Sequence, residues 1–154
     1  MDFPELLVGA LIALPFEFLV HMGWDRFKVW RKEVRTKNKY GFLAREYTNL
    51  RAGMMPTGGS VVLTQNKNGT FRVTGLHPDR TTEWEGELRM SSDEEDVGAA
   101  TYRYLLKSDY GTQRVVYLPH RDALHVLGTN QSTTDHLEFV HVWEPLIHVG
   151  RILS

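Results

Sequence analysis

The side chains of this sequence that could support chemistry are mostly aromatic, and they fall at alternate positions of predicted β-strands. Those on the faces expected to point inward are Trp84, Tyr102, Tyr104, Tyr117, Phe139, His141 and Trp143. An apolar lining with a few hydroxyl and imidazole groups is the usual composition of a small-molecule site. We therefore predict a ligand-binding site made of Trp84, Tyr102, Tyr104, Tyr117, His141 and Trp143. A filled aromatic core is the alternative.

Catalytic and metal-binding patterns are not evident. His136 and His141 are five residues apart on a predicted strand, so they face opposite sides; His125 could meet His141 across strands, but no third ligand is apparent. The chain has no cysteine, which excludes disulfides, thiolate zinc sites and cysteine nucleophiles. It has no phosphate loop, nucleophile elbow or dinucleotide fingerprint. We predict no cofactor, no metal and no enzymatic activity; an enzyme with His141 as base is the remaining alternative.

The strands that would position the aromatic residues follow Tyr40, where the hydrophobic pattern changes to period two. Thr82–Met90 alternates most strictly, with Trp84 on one side and glutamates on the other. Asn66–Gly69 predicts a hairpin turn, because Asn-Gly adopts positive φ at little cost. The other predicted strands are Phe42–Thr48, Ser60–Gln65, Thr70–Leu76, Ala99–Lys107, Thr112–Leu118, Ala123–Gly128 and Leu137–Glu144, and Gly53–Gly59 is predicted as a loop.

The number and spacing of these strands predict a mainly β fold. Residues 40–145 are expected to form an approximately eight-stranded antiparallel β-barrel, because no connection is long enough for a crossover helix. An up-and-down barrel has no exposed edges and can hold one small ligand. A two-sheet sandwich is the alternative. Residues 146–154 are predicted as a C-terminal tail.

An apolar stretch, Leu6–Trp24, precedes the strands and contains only one carboxylate, Glu17, and one histidine, His21. Its mean hydropathy is roughly 1.7, in the range of membrane-spanning helices. As a helix it would rise about 28 Å, close to the hydrocarbon thickness of a bilayer. We predict a single-pass transmembrane helix in an anchor region of residues 1–39, with Glu17 and His21 as its polar groups. A signal peptide or a helix buried across the β domain are the alternatives.

The charges around this stretch predict its orientation. Asp25–Lys39 carries seven basic residues among aromatic ones, whereas the N-terminal side carries only Asp2 and Glu5. Positively charged flanks stay in the cytoplasm, so the C-terminal domain is predicted to be cytoplasmic. The basic residues would attract anionic membrane lipid. The net charge of the chain is −1, so nucleic acid is not predicted as a partner.

The order of motifs resembles a known class of barrels. Trp84-Glu85-Gly86-Glu87-Leu88, then Tyr102-Arg103-Tyr104, Gly111 and a closing strand through Trp143 resemble a calycin barrel of the lipocalin and fatty-acid-binding type. The resemblance covers Phe42 to Glu144 and is architectural. Calycins usually carry Gly-x-Trp on the first strand, whereas Trp84 lies mid-domain. The layout is also similar to the membrane-anchored β-barrel effectors of bacterial cyclic-nucleotide immunity, which usually have two spans.

These observations predict a membrane-anchored β-barrel that binds or senses a small or lipid-like ligand on the cytoplasmic side of the membrane. Its expected partners are membrane lipid and that ligand. The alternative is a structural or interaction protein with a filled barrel, which forms a homo-oligomer through its anchor within the membrane.

Overall fold

The computed structural model describes residues 23–51, 55–131 and 136–146, which form one helix, a 3₁₀ turn and eight strands. Helix α1 covers residues 23–40 and the 3₁₀ turn covers Gly41–Leu43. The strands are β1 (Glu46–Arg51), β2 (Met55–Gln65), β3 (Phe71–Leu76), β4 (Thr82–Met90), β5 (Val97–Tyr104), β6 (Tyr110–Leu118), β7 (Ala123–Gln131) and β8 (His136–Pro145). Each strand pairs antiparallel with the next and β8 pairs with β1, which closes the barrel. The predicted mainly β, eight-stranded antiparallel barrel is confirmed.

Alternation of side chains along the strands explains which residues face the interior. In β4 the predicted bounds are correct, and Trp84, Leu88 and Met90 are buried while Glu87 and Arg89 are exposed. The predicted turn after β2 is also present, and Gly69 has a φ of 85° there. Because a strand turns successive side chains to opposite faces, the strict period of β4 alone determines which of its residues reach the core.

The first predicted strand begins too early. Residues Gly41–Leu43 form a 3₁₀ turn, and β1 starts only at Glu46. Leu43 is fully buried, and its carbonyl accepts a hydrogen bond of 3.0 Å from the hydroxyl of Tyr47. The segment therefore covers one end of the barrel, and burial of Leu43 there outweighs the strand-like pattern around it.

The predicted loop Gly53–Gly59 is also partly wrong, because residues 55–59 belong to β2. Arg51 pairs with Met55 and Leu50 with Pro56, with a register shift before the next pair at Thr48. Gly58 has a φ of 82° within this stretch. A bulge of this kind tolerates proline and glycine in a strand. Pro56 and the glycines that follow it therefore bend β2 and do not end it.

One half of the barrel is filled. Its fully buried large side chains include Tyr47, Phe71, Leu88, Leu124, Val126 and Trp143. At the same end Arg45 forms an ion pair with Asp122, and the Tyr117 hydroxyl donates to Asp122 Oδ1 at 3.1 Å. We call this the closed end; it lies where β1 begins and where β6 turns into β7.

Helix α1 is divided between two units of the chain: its residues 23–35 belong to the first, and its last residues belong to the second, Thr36–Ser154, which contains the barrel. Along the helix, the rings of Trp24 and Phe27 lie 6.0 Å apart and those of Phe27 and Trp30 lie 5.7 Å apart, and all three are exposed. No helix among residues 23–51, 55–131 and 136–146 is long and apolar enough to cross a membrane.

The predicted span, Leu6–Trp24, falls almost entirely outside the described residues, as do its polar residues Glu17 and His21. The transmembrane helix therefore stays a prediction.

Candidate ligand-binding site

The end of the barrel opposite the closed end holds a cavity of about 730 Å³. It lies where β1, β3, β5 and β7 end and where β2, β4, β6 and β8 begin, and all eight strands contribute to its wall. Its volume is within the range of about 300–1,000 Å³ that is typical of small-molecule sites. The barrel is therefore filled at one end and hollow at the other.

Glycines on the inner faces explain why this half is hollow although it contains large rings. A Cβ on Gly75 would lie 2.1 Å from the indole of Trp84, and one on Gly128 would lie 2.3 Å from the ring of Phe139. The rings therefore lie flat on the glycines of the neighbouring strands, an arrangement known to protect glycine in sheets. Rings held against the wall leave the centre of the barrel free.

Tyr102 also packs on a glycine of the neighbouring strand, and its hydroxyl reaches the strand after that. A Cβ on Gly111 of β6 would lie 2.6 Å from its hydroxyl, and that hydroxyl donates to the Thr129 carbonyl of β7 at 3.2 Å. Burial raises the pKa of Tyr102, so the phenol keeps its proton and remains a donor. Its ring meets Trp84 at 5.7 Å and Phe139 at 6.1 Å in edge-to-face geometry. Together these rings form a continuous aromatic wall.

The base of the cavity is polar. Asn49 and Gln113 line it there and are only 9% and 6% exposed, whereas Asn130 is half-buried nearer the mouth, next to the last residue of β7. Within the described part of the chain, the side-chain oxygens of all three amides have no hydrogen-bond partner, and neither does the indole nitrogen of Trp143. A buried polar group without a partner costs about 1–3 kcal/mol. We call Asn49 and Gln113, the two amides at the base, the amide cluster; stability alone does not explain it.

The charged residues of the cavity lie at its mouth. Arg51 and Glu138 are exposed, and Glu83 lies 3.8 Å from the imidazole of His77. His141 is deeper, and its cross-strand neighbour is Arg51. Burial, with a smaller contribution from the charge of Arg51, lowers the pKa of His141, so the imidazole is neutral at pH 7. Neutral groups therefore line the interior and charged groups surround the entrance.

The structure brings four of the six predicted ligand-binding residues to this cavity: Trp84, Tyr102, Tyr104 and His141. Trp143 is fully buried behind Trp84, with ring centres 6.2 Å apart, and belongs to the filled half. Tyr117 lies at the closed end, where it contacts Asp122 and Phe42. All six residues face the inside of the barrel, because they occupy inward positions in the alternation of their strands. The four cavity residues and the pair Trp143 and Tyr117 lie at different depths along the barrel axis, and alternation does not reveal depth.

The amide cluster and the glycines under the rings were not among the predicted site residues. A signal exists for each: Asn49 and Gln113 are polar residues at positions where alternation requires apolar ones, and Gly75, Gly111 and Gly128 interrupt strands. Among residues 23–51, 55–131 and 136–146, no group of three or more histidines and carboxylates could hold a metal ion.

Comparison with known proteins returned no relative: no family model, no curated protein and no solved structure matches this chain.

Proposed function

We propose that this protein is a membrane-anchored β-barrel that binds a small or lipid-like ligand in the open half of the barrel, on the cytoplasmic side of the membrane. The observation that supports ligand binding most strongly is the amide cluster at the base of an aromatic cavity of about 730 Å³. Buried amide oxygens without a partner in the described part of the chain reduce stability, and a bound molecule that pairs with these side chains would remove that cost.

Two features of the chain support the anchor. The apolar stretch Leu6–Trp24 has the length and hydropathy of a span, and the first turns of α1 carry exposed aromatic rings among basic residues. Lys28 lies 5.9 Å from the ring centre of Trp24. Aromatic rings and cations adjacent to an apolar span are typical of the membrane interface on the cytoplasmic side.

Ligand binding is tested with the full-length chain and a panel of three chemical classes: palmitate, the uncharged nucleosides adenosine, guanosine and uridine, and cyclic di-GMP. Native mass spectrometry and titration calorimetry measure stoichiometry and affinity. We expect one class to bind one molecule per chain and to lose at least tenfold in affinity when Asn130→Phe or His141→Trp adds bulk to the cavity. Thr112→Phe, which adds the same ring on the outer face of β6, is the control.

The proposal on binding is wrong if no member of the panel binds the wild type. It is also wrong if both cavity variants, with the circular dichroism of the wild type, bind as tightly as Thr112→Phe.

The anchor is tested by expressing the full-length chain and separating membranes after alkaline extraction. We expect the wild type in the membrane pellet and the double variant Leu11→Arg/Leu14→Arg in the supernatant, because arginine near the centre of a span costs about 2.5–3.5 kcal/mol on insertion scales. Leu106→Arg/Leu127→Arg places the same charges on exposed barrel positions and should stay in the pellet. A wild-type chain found in the supernatant would contradict the anchor.

A second candidate function is a homo-oligomeric interaction protein. The exposed row of Trp24, Phe27 and Trp30 favours it, because three neighbouring exposed rings on one helix are a common feature of contact surfaces. In that case Trp24→Ser/Trp30→Ser would convert an oligomer to a monomer in light scattering without changing ligand affinity.

A further inference from the structure

We propose that the cavity selects an uncharged, flat molecule whose edge carries both hydrogen-bond donors and acceptors, and that this edge contacts the amide cluster. The inference rests on the proposed ligand-binding function and narrows its ligand class. It excludes molecules whose buried end is a carboxylate or a phosphate. Three features of the cavity carry it: the chemistry of its base, the shape of its wall and the position of its charges.

The base requires donors and acceptors together. An amide side chain offers one carbonyl oxygen and two N–H donors. Asn49 and Gln113 are each at least nine-tenths buried, and the oxygen of each has no partner among residues 23–51, 55–131 and 136–146. Asn49 and Gln113 come from β1 and β6, which are separated by β7 and β8 on one side of the barrel. A ligand that pairs with both must present a polar edge and not a single atom. An aliphatic chain would leave the amides unpaired.

The wall favours a flat ring. Trp84, Tyr102 and Phe139 each lie against a glycine of a neighbouring strand, so their orientation is held by the backbone beneath them. Aromatic side chains fixed in this way present faces and edges on which a planar heterocycle can pack. Amide groups that read the edge of a ring, combined with aromatic side chains that stack on its face, are the general means by which proteins recognise heterocyclic bases.

The charges argue against an anionic ligand. The charged residues lining the cavity in the described part of the chain are Arg51, Glu83 and Glu138, all at the mouth, together with two histidines, of which His141 is the deeper. No lysine or arginine among those lining residues is buried beside the amide cluster. A carboxylate or phosphate placed at the base would lose its hydration without gaining a cation. Two carboxylates against one guanidinium at the entrance would oppose its approach.

The test uses the full-length chain, the panel described above and the 5′-monophosphate of each nucleoside. We expect at least one uncharged nucleoside to bind more tightly than its monophosphate, than cyclic di-GMP and than palmitate. Asn49→Leu and Gln113→Met, which replace each amide by an apolar side chain of similar size, should lower the affinity for that nucleoside about tenfold each, because each leaves a polar edge of the ligand unpaired. Thr48→Val and Arg114→Met, on the outer faces of the same strands, are the matched controls.

The outcomes separate this inference from the function on which it rests. If palmitate binds most tightly and Asn49→Leu strengthens its binding, the cavity binds ligands but the proposed ligand class is wrong. If the monophosphates or cyclic di-GMP bind more tightly than the nucleosides, the argument from charge is wrong. If Asn49→Leu and Gln113→Met leave nucleoside affinity at the value of the controls, the amide cluster does not contact the ligand. If no compound binds, both the function and the inference fall.

Discussion

Gly128→Ala, which adds one methyl group, tests whether the packing of the Phe139 ring on Gly128 keeps the cavity open. A Cβ at Gly128 would lie 2.3, 2.7 and 2.8 Å from three ring carbons of Phe139. Carbon atoms normally approach to about 3.5–4.0 Å, so the Phe139 ring must move away from residue 128 by about 1 Å. The free space into which it can move is the cavity. Gly128→Ala should therefore narrow the cavity as well as strain the barrel.

The expected magnitude follows from two opposing effects. Overpacking costs about 1–3 kcal/mol, whereas replacing a strand glycine by alanine gains about 0.5–1 kcal/mol in the absence of a clash. We expect Gly128→Ala to lower the free energy of unfolding by about 1 kcal/mol net, within the range set by those two effects. In a Phe139→Ala background, where the ring is absent, the same substitution should be neutral or stabilising. The coupling between the two sites should then be about 1–3 kcal/mol.

The assay is equilibrium urea unfolding of the full-length chain, followed by circular dichroism, for wild type, both single variants and the double variant. Gly41→Ala is the matched control, because a Cβ there meets only the Gln65 side chain at 3.5 Å, an ordinary contact. If Gly128→Ala is as stable as the wild type, or if its effect is the same with and without the ring of Phe139, the ring is not held by this glycine and the explanation for the hollow half fails.

Three further predictions concern single side chains. Asn49→Leu should raise the free energy of unfolding by about 1–2 kcal/mol in urea unfolding, because it removes a buried amide oxygen that has no partner among the described residues. A loss of stability would show that this oxygen is satisfied. Burial lowers the pKa of His141 in the folded state, so the unfolded chain binds more protons and the wild type should lose stability as pH falls from 7 to 5. His141→Asn should reduce that loss; parallel pH profiles of stability for the two proteins would refute this. The hydrogen bond from Arg45 lowers the pKa of Asp122. Above pH 5 the wild type should therefore be more stable than Asp122→Asn by at most about 1 kcal/mol, and it should lose that advantage as pH falls below about 4. An advantage that persists at pH 2 would contradict the pairing.

The sequence alone determined the class of fold. Strict alternation in β4, the Asn-Gly turn and connections too short for crossover helices limit the chain to an antiparallel sheet of about eight strands, and closure removes its edges. These are local properties, since the pattern of one strand fixes which of its faces is buried. The largest boundary errors lie where tertiary contacts overrode the pattern, at the buried Leu43 and at the bulge around Gly58, and the ends of β5 and β7 were each missed by three residues.

Depth along the barrel axis was decided only by the tertiary structure. Trp84 and Trp143 have the same alternation, yet the first lines the cavity and the second fills the core, because the register and tilt of eight strands set how far each residue lies from the open end. The same is true of the amide cluster, whose members are far apart in the chain and become a site only when the barrel closes. Period-two patterns carry information about faces and none about depth, and that is the physical reason why the barrel and its inward face were predictable whereas the position of the cavity along the barrel axis was not.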